Sequence, residues 1–184
     1  MKKINTTNWK EYLIEDLFEK LDLKFKKEVF NKHFDISEVK TEEFNLPLVN
    51  AKHSNNGIMY YGRDCDFDSS EMTIDIVEDG AASTGDVYPQ PQNTGVLYNA
   101  YLVKLIQPTS SSEVLFFIST VLRKCIKDKF GYDNKCTWNR VKKEFIKLPA
   151  DSNGNPDYAY MENYMKSIME KQRANISILQ SLNK

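Results

Sequence analysis

The chain has 184 residues, 41% of them hydrophobic and 28% charged, which is enough apolar material for one sizeable core and one domain with an appendage. Seven glycines, six prolines and a mean hydropathy of −0.55 exclude collagen-like and low-complexity chains, and no apolar run approaches the roughly 18 residues of a membrane span. The net charge of −1 excludes coating of nucleic acid by bulk charge. The charge is nonetheless polarised: residues 64–86 hold eight acids and no lysine or arginine, whereas residues 123–147 hold nine bases against three acids. Met1–Thr6 opens on polar residues rather than an apolar signal core, which predicts a cytoplasmic protein. Cys65, Cys125 and Cys136 form an odd set without a C-x-x-C pair, so reduced, incidental thiols are expected rather than a disulfide framework or a zinc knuckle.

Aromatic and aliphatic residues between Trp9 and Phe18 sit at both strand and helix spacings, fitting a short strand and a helical turn. Phe44–Asn50 reads as a strand entry, the polar tract Lys52–Gly57 as a turn favoured by Asn56-Gly57, and Ile58–Tyr61 as the returning strand. Met72–Val77 alternates like a half-buried strand closed by Glu78-Asp79-Gly80. Val87-Tyr88 and Val96–Tyr98 read as a further pair, followed by the apolar strand Tyr101–Ile106. One compact sheet of short strands is therefore expected. Ser110–Glu113 has capping-box spacing ahead of a helix running from Val114 through Ile126, with Gly131 as its stop. Phe145–Pro149 is a last strand and Asp151–Gly154 a turn.

From Asn155, a cap with Pro156 at the first helical position and Asp157 near the positive end, no Gly or Pro interrupts the chain to Lys184. The fold class is α+β: a small mixed or antiparallel sheet domain with packed helices over residues 1–153, followed by a long C-terminal helix over 154–184. Met161, Met165, Ile168, Gln172, Asn175, Leu179 and Leu182 step by alternating fours and threes, a heptad seam with two amides that predicts pairing with another helix. Packing of this helix on its own domain, with Ile176 and Ile178 blurring the stripe, is the alternative.

No residues announce catalysis. Asn155-Pro156-Asp157-Tyr158 has the outline of an amino-methyltransferase motif but lacks the apolar strand before it and a glycine-rich cofactor loop, so it reads as a helix start. The paired acids Asp64 and Asp66, or Glu78 and Asp79, have no Lys or His beside them to make a nuclease-like constellation and read as solvated acids. His33 and His53 belong to no ligand cluster or nucleophile motif. Neither a metal nor a cofactor is expected. Two tracts carry groups suited to reading bases and phosphates. The first holds Lys52, His53, Asn55, Asn56, Tyr60 and Arg63, and serves equally as a plain polar hairpin. The second holds Lys135, Thr137, Trp138, Asn139, Arg140, Lys142 and, at its end, Lys143; the alternative is a solvated basic loop with Trp138 docked in the core.

The order of these segments resembles the target-recognition half of a Type I restriction-modification specificity subunit. The similarity runs over nearly the whole chain: Trp9 to Leu17-Phe18, Leu48-Val49-Asn50 with Asn56-Gly57-Ile58, Met72-Thr73-Ile74 before Gly80, Gly85-Asp86-Val87-Tyr88, the helix after Ser112, Asn134–Trp138 before Arg140, Ile146–Pro149, and Gly154–Tyr158 with Met161-Glu162. The resemblance implies a non-catalytic reader of double-stranded DNA that directs a methyltransferase subunit and a translocating restriction subunit to its site. Members of that family usually carry two recognition domains joined by two antiparallel helices, whereas this chain has one of each. It therefore reads as a half-subunit that forms a homodimer through an antiparallel coiled coil, or as a fragment of a longer chain. The expected homodimer reads an inverted repeat around an unread spacer. On this reading the two basic tracts enter the groove, residues 64–86 face away or meet a partner, and Trp138→Ala or Arg140→Ala relaxes recognition without unfolding. The rival readings are a protein-interaction or anti-phage defence module and the recognition fragment of a fused restriction-methylation enzyme.

Overall fold

A computed structural model describes residues 4–182, with side chains through Ser181. The opening segment resolves as anticipated into strand β1 (Trp9–Leu13) and a single helical turn α1 (Ile14–Leu17), which buries Ile14 and Leu17 and redirects the chain into β2 (Phe18–Lys20). Later elements are α2 (Lys32–Asp35), β3 (Ile36–Ser37), β4 (Leu46–Val49), β5 (Ile58–Gly62), β6 (Thr73–Val77), β7 (Val87–Gln90), β8 (Gly95–Val96), β9 (Ala100–Leu105), α3 (Ser112–Ile126), α4 (Trp138–Val141), β10 (Phe145–Pro149) and α5 (Tyr158–Leu182).

The α+β class holds, but the strands form three sheets among the described residues rather than one. These are a β1-β10 ribbon, a β2-β9-β6-β7 sheet and a β3-β5-β4-β8 sheet, antiparallel except where β8 runs parallel to β4. The predicted pair at Val87 and Val96 is split, β7 pairing with β6 and β8 with β4. Strand β6 is buried at all five positions instead of half-buried. Its Ile74 and Ile76 face α3 in the main core, and by strand alternation Thr73 and Asp75 point to the opposite face, which the β4–β5 connection covers. A second, smaller core of Ile36, Leu46, Leu48, Tyr60, Phe67 and Leu97 lies within the third sheet.

Helix α3 is capped one residue later than the spacing suggested. Ser111 Oγ accepts the Val114 N–H at 3.4 Å, and the helix ends at Ile126, short of Gly131. Its buried stripe of Val114, Leu115, Phe117, Ile118, Leu122 and Ile126 removes six apolar side chains from water, each worth about 1.5–3 kcal/mol. At α5 the cap is Asp157, whose Oδ1 accepts the Tyr160 N–H at 2.9 Å, rather than Asn155, whose N–H instead donates to Asp151 Oδ1.

The first turns of α5 pack on the domain. Met161 is fully buried in the main core, so it is a core residue and not a seam residue, and Tyr164 meets Phe117 edge-on at 5.8 Å. Met165 and Ile168 are half-buried, and residues 170–181 are exposed throughout, including Gln172, Asn175 and Leu179 of the seam; the Leu182 side chain lies outside the described residues. No helix among the described residues is long and apolar enough to cross a membrane.

Candidate nucleic-acid interface

The first tract is the connection between β4 and β5. Ser54, Asn55, Asn56 and Gly57 have φ values of 90°, 48°, 52° and 75°, a run of left-handed residues that suits Asn and Gly and that side chains from β7 hold in place. The Ser54 N–H donates to Tyr88 Oη at 2.9 Å, Asn56 Nδ2 donates to the Pro89 carbonyl at 2.8 Å, and Gln90 Nε2 donates to the Asn56 carbonyl at 2.6 Å. Asn56 is thereby turned inward, while His53 and Asn55 are exposed and Lys52 half-buried. Two other members of this tract are not available to a ligand. Tyr60 is buried in the second core, with Lys32 Nζ over its ring at 4.9 Å. Arg63 stacks on Phe44 and pairs with Glu43 at 2.7 Å and with buried Asp66 at 3.1 Å.

The second tract is anchored along the end of β6. The Cys136 N–H donates to the Glu78 carbonyl, Tyr101 Oη donates to the Cys136 carbonyl at 3.1 Å, and Lys135 forms an ion pair with Asp79. Trp138 opens α4 docked edge-on against Tyr101 at the rim of the main core. That is the docked alternative. Removing Trp138 would hollow the core, so Trp138→Ala does not separate recognition from folding as the sequence suggested. Burial pushes the Cys136 thiol up to about 12, which makes it inert. Lys142 pairs with Glu15 at 3.4 Å and Thr137 is half-buried. Asn139 and Arg140 are exposed, Arg140 donating one bond to the Lys135 carbonyl at 3.1 Å.

The fold brings the two tracts to either side of one turn, residues 78–86. A Cβ on Gly80 would stand 2.8 Å from that of Ala51 at the start of the first tract, and Asp79 holds Lys135 of the second. Residues 64–86 are thus not one solvated acidic block. Asp79 and Asp86 lie between the basic tracts and are neutralised there, while Asp66 is a buried ion-pair acceptor for Lys27 and Arg63 rather than a solvated acid.

Asp86 is fully buried and organises this turn. It accepts from His53 Nδ1 at 2.6 Å, Arg123 Nη2 at 3.1 Å and Tyr88 Oη at 3.3 Å, and lies 3.1 Å from Lys127 Nζ. Burial alone would raise its carboxyl, but His53, Lys127 and Arg123 together hold it below the usual carboxylate range. An ionised carboxyl only accepts, so His53 donates to it from Nδ1.

Asp75 presents the opposite case. It is fully buried, neither carboxyl oxygen has a hydrogen-bond partner among the described residues, and burial, reinforced by the charge on Asp86, pushes it well above the ordinary value. The folded protein keeps this proton where the unfolded chain releases it, so stability falls as pH rises above the ordinary carboxylate range. Asp75→Asn removes that loss. Its melting midpoint is expected to gain on the parent's as pH rises from 5 to 8, and parallel melting curves across that range check it.

Arg123, on the face of α3 that meets the turn, and Lys127, at the helix C-cap, are the residues that sequence reasoning missed. Both fell within the base-rich stretch, but only a helix start fixed one residue later and the α3–β7 packing show which bases face the turn. Among the described residues no group of three or more His, Cys, Asp or Glu side chains converges as a metal site.

Comparison with known proteins bears out the resemblance. No family model matches the chain. It is 22% identical over 173 residues to the specificity subunit S.BcgI of a Type II restriction enzyme from Heyndrickxia coagulans, an alignment that covers 93% of this chain and 46% of that protein. Among solved structures it is similar to the Type I restriction-modification S subunit of M. genitalium, with a TM-score of 0.60 and 21% identity over 98% of this chain and 44% of the other. It is also similar to the HsdS subunit of Thermoanaerobacter tengcongensis, with a TM-score of 0.52 and 12% identity over 94% of this chain and 40% of the other. The chain thus has the fold of S subunits and spans less than half the length of the relatives it matches.

Proposed function

We propose that this chain is the DNA-reading specificity subunit of a Type I restriction-modification system, a half-subunit without catalytic chemistry of its own. It directs methyltransferase and restriction subunits to a bipartite site. The observation that carries this reading is that the fold of a solved S subunit covers 98% of the chain. Two copies that pair through their long helices would present two such readers. The two tracts beside the 78–86 turn form its DNA face, with Lys52, His53 and Asn55 on one side and Asn139 and Arg140 on the other as the side chains free to reach base edges. Residues 1–153 supply that face, and the helix from 154 onward supplies pairing and spacing. Two-fold pairing of identical readers implies an inverted repeat with an unread spacer. The protein works in the cytoplasm, where such a complex meets its DNA.

An adenine-methylation map of the source cell, with the gene intact and deleted, tests this. Loss of one palindromic, interrupted motif is the expected result. Loss of a non-palindromic motif would mean that a second, different recognition domain works beside this one. No change in a cell whose methyltransferase is active would overturn the reading.

A further inference from the structure

We infer that Arg123 is a DNA-phosphate ligand, held ready by the buried carboxylate of Asp86, and that it fixes the register of the neighbouring Lys52–Gly57 loop on the duplex. The inference rests on the DNA-reading function proposed above and adds a site on α3 outside both basic tracts.

Two cations, Lys127 and Arg123, share one buried carboxylate. Lys127 is held by the fold: its ammonium pairs with Asp86 at 3.1 Å and donates to the Ala82 carbonyl at 2.7 Å and the Thr84 carbonyl at 3.0 Å. One full positive charge therefore already balances Asp86. Arg123 makes one hydrogen bond to Asp86 among the described residues, keeps 45% of its side chain in solvent, and brings a second positive charge that the carboxylate does not cancel. Its other guanidinium N–H groups are unspent, in a planar fork whose geometry matches a phosphate. Anchoring one edge of that fork on a fully buried group removes much of the side-chain entropy that an exposed arginine loses on binding.

The surroundings favour a backbone anion over a base edge. His53 occupies the other oxygen of Asp86, and the Ser54 N–H is tied to Tyr88 Oη, which itself donates to Asp86 at 3.3 Å. A phosphate gripped by Arg123 is thereby coupled through one rigid network to the loop that carries Asn55. Phosphate contacts position a reader and base contacts specify, and Arg123 beside the loop supplies the first for the second.

The test compares Arg123→Gln and Arg123→Lys with Lys127→Gln. Each is measured with the methyltransferase subunit against a duplex bearing the mapped motif and against a shuffled duplex, over a range of salt concentrations. Arg123→Gln is expected to weaken both duplexes several-fold and to flatten the slope of log affinity against log salt by about 0.9, leaving the methylated motif unchanged and lowering the melting midpoint less than Lys127→Gln does. Arg123→Lys keeps a charge at the site and retains part of the slope, while Lys127→Gln lowers the melting midpoint and leaves the slope alone. If the parent protein binds DNA and Arg123→Gln keeps the parental slope, the inference is overturned while the function stands. A slope loss in Lys127→Gln equal to that in Arg123→Gln, tracking the melting midpoints, would also overturn it, because the effect would then be structural. A parent that binds neither duplex sinks the inference together with the function.

Discussion

Gly57→Ala is expected to lower stability by about 3 kcal/mol, or about 6–12 °C in melting midpoint for a chain of this size, and, on the proposed DNA-reading function, to abolish site-specific binding at temperatures where the protein is still folded. The added Cβ would lie inside the van der Waals shell of Asp75 Oδ2 and 3.0 Å from Tyr88 Cδ2, at a residue whose φ of +75° already disfavours a side chain. Neither neighbour can retreat. Asp75 sits in β6 between β7 and β9, and the Tyr88 hydroxyl is bonded to the Ser54 N–H and the Asp86 carboxylate. The loop must lift, and lifting it breaks the bonds from Asn56 and Gln90 that set the pose of Asn55. Urea unfolding of Gly57→Ala, Asp75→Ala and the double variant divides the cost. The steric part disappears when Asp75 is also truncated, and the left-handed part remains. An alanine variant as stable as the parent would show that the loop rests elsewhere.

How far the sequence could reveal this site depended on which forces were local. Asn-Gly at 56–57, the Ser-rich helix start and the Pro149 stop act within a few residues and were read to within one or two positions. Strand β6 was recognised by its alternation, but alternation means half-exposed only if the polar face meets water. Here Thr73 and Asp75 are covered by a loop from a different sheet, and no window of sequence carries that information. Tyr60, Arg63 and Trp138 have the chemistry of DNA readers, yet burial beside Phe67, an ion pair with Asp66 and an edge-on contact with Tyr101 use that chemistry inside the fold. Arg123 shows the converse case. A basic residue on an amphipathic helix looks like a solvated face until the turn before β7 places a buried carboxylate beneath it. The segment order was legible because it records topology. The residues at the surface were not, because they depend on contacts between elements far apart in the chain.

On the proposed two-copy reading, Leu179→Asp is expected to turn a dimer into a monomer and to erase the methylation motif while leaving the recognition domain folded. Beyond residue 169 every described side chain of α5 is exposed, with Ile176, Ile178 and Leu179 each more than half so, an apolar surface that the domain itself does not cover. The seam is self-complementary in one antiparallel register: setting Gln172 opposite Asn175 of a second copy sets Ile168 opposite Leu179 and Met165 opposite Leu182. An isologous pair requires that reciprocity, and the amides that meet beside the two-fold axis penalise any slipped register in which they would face apolar residues. In this register the bare end of one α5 would run toward the other copy's groove, lined by Trp9, Phe117, Val121, Phe145, Tyr164 and Ile168. A dimer so paired would contain the Leu179 contact twice, so a loss of about 2–3 kcal/mol per copy would weaken the pair about a thousandfold or more. Sedimentation of the parent and Leu179→Asp, with far-ultraviolet circular dichroism to verify folding, decides the matter. A parent that sediments as a monomer ends the two-copy reading, whereas a Leu179→Asp variant that still dimerises and still directs methylation would place the seam elsewhere on the helix.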